Sequence, residues 1–397
     1  MSWEKVKLND ICSSIYDGDH NAPPKSDTGV PFVTISNIDA ADGSIDFSNT
    51  AHVPNSYFES LKPERRPRPG DVLYSVVGSF GIPSLVKDQK PFVFQRHVAI
   101  LRPNDRIEPE YLYYSMKSRN FYHWADSVAI GAAQRTVTLG QLREKTIALT
   151  PLPVQSRIAG VLSAYDKLID NNRKQIKLLE EAAQRLYKEW FVDLRFPGHE
   201  TTPIHNGIPE GWKRTTVGKI CELIRDSSRP DDRNESTMYI GLEHMPKNSI
   251  CLNMYGDVSS VTGSKLNFRK NDILFGKIRP YFHKVGFAQC NGVTSTDTLV
   301  MRAKPNCFGL LLEIVSSDAY VAYATATSKT GTKMPRADWN AMSAYELLEP
   351  SARVLAQFDG FVKQITDEIM NLSDQIVAAR EARDRLLPKL MSREIEV

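Results

Sequence analysis

The sequence predicts an α+β protein: two globular domains with irregular β-sheets, separated by two long antiparallel coiled-coil helices and related by a pseudo-two-fold internal repeat. Two observations predict this. The first is a ladder of alternating four- and three-residue steps: Ile158, Leu162, Tyr165, Ile169, Asn172, Ile176, Leu179, Ala183, Leu186 and Trp190. Adding 200 to each number gives Phe358, Val362, Ile365, Ile369, Leu372, Ile376, Ala379, Arg383, Leu386 and Leu390. A spacing averaging 3.5 residues is the seam of a coiled-coil helix. The second observation is that the repeat continues outside the helices. Trp3 begins WEKVKLNDIC and Trp212 begins WKRTTVGKIC, while Gly70–Ser75 (GDVLYS) is echoed by Asn271–Gly276 (NDILFG) and PFVTISNI at 31–38 by MYIGLEHM at 238–245. A unit of about 200 residues present twice is a duplicated domain, because solenoid periods are far shorter.

The elements follow in chain order. Residues 1–150 form the first globular domain, 151–197 the first long helix, 198–350 the second domain (198–211 its linker) and 351–397 the second helix. Candidate strands are Phe32–Ile35, Val72–Val76, Val93–Leu101, Met238–Leu242, Ile273–Phe275 and Thr298–Arg302, with Gly and Pro clustered between them. Pro109–Ser118 and Phe308–Ala326 read as helices. Pro151-Leu152-Pro153 precedes the first long helix, which spans 154–191 and is about 55 Å long; Pro350-Ser351 precedes the second, with Ser351 its N-cap. The segment HETTPIHNGIPEG (199–211) is a Pro/Gly linker.

Composition narrows the function classes. Of 397 residues, 41% are hydrophobic and 24% charged, as in an ordinary globular protein. No apolar run approaches the ~18 residues of a membrane span, and MSWEKVKLND lacks a signal-peptide core, so a cytoplasmic location is expected. Cys12, Cys221, Cys251, Cys290 and Cys307 form no CxxC pair and read as reduced packing thiols rather than a metal site. A net charge of +3 permits a nucleic-acid partner without arguing for one.

Two copies of one unit in a chain tend to pair about a pseudo-two-fold axis, which makes the helices antiparallel and puts the globular domains at opposite ends. The helices then act as a spacer of roughly 50 Å, about fifteen base pairs of B-DNA. Asn172 and Arg383 interrupt the seam, where polar groups lower stability but fix register. Val161, Leu168, Leu178, Tyr187, Phe191, Phe361, Leu387 and Ile395 lie off the seam. A two-stranded coil needs one stripe only, so these are candidate partner-binding residues; packing on the chain's own domains is the alternative.

Several motifs resemble those of the specificity subunits of type I restriction–modification enzymes. In the first domain these are Asp17-Gly18-Asp19-His20 with Pro23, Gly29-Val30-Pro31-Phe32, Ser36-Asn37-Ile38, and GDVLYS followed by Gly78-Ser79-Phe80-Gly81. Lys277-Ile278-Arg279-Pro280-Tyr281 with Lys284 is similar to a GKIRPY…K variant of the last element, and PLPVQ with Arg157-Ile158-Ala159 to the family's lead-in to its helix. PSARVLAQF, before the second helix, lacks the full PLP. The resemblance implies two target recognition domains, each reading half of a split double-stranded DNA sequence, in a system that methylates DNA and defends the host against foreign DNA. It also implies docking of two adenine-N6 methyltransferase (modification) subunits and joining by restriction/translocase subunits. No cofactor is then bound by this chain: S-adenosylmethionine belongs to the methyltransferase, ATP and Mg to the restriction partner.

The residues agree with a non-catalytic role. No GxxxxGK[ST] loop, Asn/Asp-Pro-Pro-aromatic motif or carboxylate-plus-lysine nuclease cluster is present. Asp17/Asp19/His20 is the strongest enzyme-like group, and a Gly-containing polar turn explains the same residues without catalysis. DNA reading needs Arg/Lys for phosphates and guanines, Asn/Gln for adenines and acids for cytosines. The candidates are Asp19, His20, Lys25, Ser79, Arg96, Gln134 and Arg135 in the first domain. In the second they are Glu243, His244, Lys277, Arg279, Tyr281, Lys284, Lys333 and Arg336. Lys277, Arg279 and Lys284 beside Tyr281 make a phosphate-tracking patch; the KPERRPR loop (62–68) is a weaker one. A specificity subunit for a fused nuclease–methyltransferase, an enzyme acting through the Asp17–His20 turn, and a purely structural coiled-coil adaptor are the other readings.

Overall fold

The structure, a computed structural model, describes residues 3–396 except 20–21, 41, 133 and 329–333. The chain divides into two compact units, residues 1–168 with 379–397 and residues 169–378. Each globular domain therefore forms a unit together with the stretches of both long helices that pack on it.

In the first unit, a four-stranded antiparallel sheet runs in the order Cys12–Asp17, Val98–Pro103, Val72–Ser75, Pro83–Leu85. A three-stranded sheet places Val30–Val33 between Ala51–Val53 (antiparallel) and Val93–Phe94 (parallel). The expected strand Val93–Leu101 is thus two strands. Its halves belong to different sheets, and the Gln95–His97 turn between them is closed by Val98 N–H donating to the Gln95 carbonyl at 3.0 Å. Glu4–Lys7 pairs with Thr146–Leu149, which brings the two ends of the domain together just before the helix.

The second unit repeats this plan. Lys213–Thr216 pairs with Glu346–Glu349. A five-stranded sheet runs Cys221–Ile224, Thr298–Ala303, Ile273–Gly276, Val285–Ala288, Cys251–Leu252; a four-stranded sheet holds Met238–Ile240 at one edge. The expected helix over 308–326 is two, Phe308–Val315 and Asp318–Ala326, because Ser317 caps the second by accepting from Tyr320 N–H. Each unit carries an equivalent Asp–Arg ion pair, with the carboxylate buried in both. Arg102 meets Asp71 through two bonds of 2.9 and 2.8 Å, and Arg302 meets Asp272 at 2.8 and 2.7 Å. These fork-to-fork contacts lock the GD/ND turn to the neighbouring strand. Arg102 also donates to the Pro63 and Arg66 carbonyls, so KPERRPR is a loop fastened from beneath.

The long helices span Leu152–Tyr187, continued by a π-turn over Lys188–Val192, and Ala352–Ser392. The Pro151 and Ser351 carbonyls accept from Gln155 and Leu355 N–H, as the first turn of a helix requires. Within the second unit the helices are antiparallel: Asn172 faces Gln375, its Nδ2 donating to Oε1 at 3.0 Å, and Trp190 packs on Phe358 with ring centroids 5.7 Å apart. Within the first unit, Ile158 and Leu162 share a core with Leu387 and Leu390 and with the domain's Tyr111 and Tyr114. Arg383 sits in that seam as half of an ion pair with Asp166. Cys12, Cys221 and Cys251 are buried free thiols pushed up to about 12 by desolvation, so they are unreactive packing groups. No helix among the described residues is long and apolar enough to cross a membrane.

Candidate nucleic-acid interface

In the first domain, the turn after Val72–Ser75 is built on two left-handed glycines, Gly78 (φ 72°) and Gly81 (φ 94°). It is fastened to two other loops through the backbone. Gly78 N–H donates to the Arg135 carbonyl, Val137 N–H to Val76, and Val76 N–H to His97. A further bridge joins Asp19 to Gln95. Loops far apart in sequence thus converge, and Asp19, Ser79, Arg96, Gln134 and Arg135 share the resulting cluster. Gly18 is required for that approach, since a Cβ there would lie 2.3 Å from the Phe94 carbonyl oxygen.

The candidates differ in freedom. Ser79, Arg96 and Gln134 are exposed. Arg135 stacks over Phe80, 5.3 Å from the ring centroid, and its guanidinium is paired with Asp126. Asp19 is engaged internally, accepting from Tyr57 at 3.1 Å and lying 3.9 Å from Arg65, which also faces Asp17 at 3.7 Å. Lys25 is exposed on the loop before Ser26. His20 and Lys333 lie outside the described residues. No group of His, Cys, Asp and Glu that could hold a metal occurs among the described residues.

The second domain repeats the convergence. Arg279 N–H donates to the Pro335 carbonyl, Ala337 N–H to Lys277, and Lys277 N–H to Asp297. This brings Lys277, Arg279, Tyr281 and Arg336 together, with Arg336 3.5 Å from Asp297. Burial holds the Lys277 ammonium below the usual lysine value, against the pull of Asp297. Lys284 is not part of an open patch: its Nζ donates to the Leu242 carbonyl, and burial, then Lys247, pushes it down. Glu243 and His244 line a separate cleft of about 340 Å³ with Tyr239, Asp257 and Lys265. His244 Nδ1 there accepts from Gly241 N–H at 2.9 Å.

The off-seam apolar residues split into two groups. Leu168, Leu178 and Phe361 are 42%, 64% and 50% exposed, and Ile395 also faces outward. Leu387 is instead buried in the first unit's core, where Val161 also packs. Phe191 lies in an aromatic cluster with Trp190, Trp212 and Phe358, and the Tyr187 ring packs against Phe191 at a tilt of 44°. Each domain leans on the helices, and these four residues take part in that packing, Leu387 fully and the others with part of their surface still open. The ion pairs Asp71–Arg102 and Asp272–Arg302 were not expected from the sequence. Their signal was available, since an Asp in each GD/ND turn is followed 31 or 30 residues later by an Arg.

Residues 1–181 match the family described as "Type I restriction modification DNA specificity domain". That span is just under half of the chain, and the sequence relatives that extend beyond it are specificity subunits of type I restriction–modification enzymes. Its relatives include the type I restriction enzyme MjaIX specificity subunit of Methanocaldococcus jannaschii, 24% identical over 83% of this chain and 78% of that one. The putative MjaX specificity subunit of the same organism is 30% identical over 57% of this chain and 55% of its own length. The S subunit structure from M. genitalium has the same fold, with a TM-score of 0.58 and 13% identity, covering 98% of this chain and 96% of that one. The role that these relatives share is DNA sequence recognition.

Proposed function

We propose that each globular domain reads one half of a bipartite double-stranded DNA target, and that the paired helices set the unread spacer. Two adenine-N6 methyltransferase subunits dock on the helices, where Leu168, Leu178 and Phe361 offer apolar surface, and translocating nuclease subunits join for restriction. The chain itself binds no cofactor: S-adenosylmethionine enters with the methyltransferase, ATP and Mg with the nuclease. One observation carries this reading. The same three-loop convergence occurs once in each unit, held by equivalent backbone bonds from Gly78 to Arg135 and from Arg279 to Pro335, and its side chains differ. A shared scaffold with different side chains suits two readers of different sequences.

Exchanging residues 1–150 for those of another specificity subunit is expected to change one half-site only, as read by methylome sequencing of a host expressing the complex. A change in both halves would refute independent heads. Four residues inserted into the first long helix, about one turn, should lengthen the spacer and leave both half-sites unchanged. Altered half-sites would count against the helices as a ruler.

A further inference from the structure

The turn that the first domain builds on Gly78 and Gly81 recurs in the second domain without glycine. Equivalent backbone bonds, Ser75 N–H to Ile82 and Gly276 N–H to Lys284, align Gly81 with His283 as they align Gly78 with Arg279. Both replacements hold left-handed φ values, 51° for Arg279 and 52° for His283, a conformation unfavourable for residues with a Cβ. His283 has a structural reason: its Nε2 donates to the Ser316 carbonyl at 2.7 Å, between the helices Phe308–Val315 and Asp318–Ala326. Arg279 has no such anchor. Its Nε is buried without a hydrogen-bond partner, and its guanidinium lies 5.7 Å from the Phe282 ring centroid. Lys247 Nζ lies 4.6 Å from the same centroid. Two cations converge on one ring, and no carboxylate pairs with either among the described residues. Like charges gathered without a counterion are matched by an anion from outside. In the first domain the equivalent positions, Ala40 and Gly78, are uncharged.

We propose that Lys247 and Arg279, set around Phe282, form a cradle for one DNA backbone phosphate, a contact that the second domain makes and the first does not. It positions the duplex and reads no base. This rests on the DNA-recognition reading above. The strained Arg279 is kept for the ligand, so Arg279→Gly, which restores the first domain's residue, should fold normally with an unchanged or higher Tm.

The test measures binding of the full chain to a random-sequence duplex over a salt series. The double variant Lys247→Gln/Arg279→Gly is expected to bind about tenfold more weakly, with a log K against log salt slope shallower by roughly one. Lys167→Gln, an exposed helix charge, should leave the slope unchanged. In the complex with the methyltransferase, the double variant should select the same bases as the unaltered chain in both half-sites. An unchanged slope, an equal loss with Lys167→Gln, or altered base choice in the second half-site would each overturn the cradle. An unaltered complex that selects no bipartite sequence would instead overturn the recognition reading, which the random-duplex slope does not probe.

Discussion

Arg383→Met is expected to destabilise the first unit by about 3–5 kcal/mol, the usual cost of breaking a buried ion pair on one side. Arg383 is 2% exposed in the helix seam. Its Nη1 meets Asp166, and its Nε and Nη2 reach Asp384 at 2.9 and 2.8 Å. The second oxygen of Asp166 receives the Tyr114 hydroxyl at 2.6 Å, which ties the globular domain to both helices through one carboxylate. Methionine fills most of the volume and leaves Asp166 with the hydroxyl alone. Lys117 is near, held down first by burial and then by Arg383, so some charge compensation follows when the guanidinium goes. Asp166→Asn/Arg383→Met should therefore lose less than the two single variants combined, since it removes the stranded charge. Urea unfolding of the four proteins measures this coupling. Additive losses would show that the network carries no energy of its own.

The same pair shows where sequence reading stopped. The 3.5-residue period is local and made the seam legible, including Ile158, Leu162, Ile369 and Ile376, all buried. It also marked Asn172 and Arg383 as anomalies, but their partners Gln375 and Asp166 lie more than 200 residues away along the chain. Strand limits failed at Gln95–His97 because sheet membership is a non-local property that hydrophobic alternation does not encode. Leu387, Tyr187 and Phe191 show the same limit: an apolar helix face states that something covers it, not what. Among site residues, the GSFG and GKIRPY motifs located the two turns. The loops that join them, 134–137 and 335–337, became neighbours only through backbone pairing. Arg135 and Lys284 have the right chemistry for DNA, yet Asp126 and the Leu242 carbonyl already engage them.

Glu313→Met is expected to stabilise the second unit, and the gain should grow with pH. Glu313 lies in the helix Phe308–Val315, fully buried, with neither carboxyl oxygen hydrogen-bonded. Gln184 of the first long helix donates to the Glu313 backbone carbonyl and to Ser316 Oγ rather than to the carboxyl group. Burial, reinforced by the nearby Glu180, pushes Glu313 up to about 8 from an ordinary 4.5. Below the ordinary value the group is protonated whether the chain is folded or not, and pH has no effect through it. Between the two values the unfolded chain releases the proton while the folded chain keeps it. Stability therefore falls as pH rises, by about 1.4 kcal/mol per pH unit, and levels off once the folded state also ionises. Methionine, of similar length, removes both the proton linkage and the unsatisfied oxygens. Thermal melts from about pH 5 to about pH 9 should show the two proteins diverging, with the variant the more stable above neutrality. A constant difference across that range would mean that Glu313 titrates normally in the folded protein. Glu180, whose carboxylate accepts from Ser249 Oγ at 2.6 Å and Ile250 N–H at 2.9 Å, is the contrast. It is equally acidic in origin but bonded to the domain, so its replacement by methionine should destabilise the unit in which Glu313→Met stabilises it.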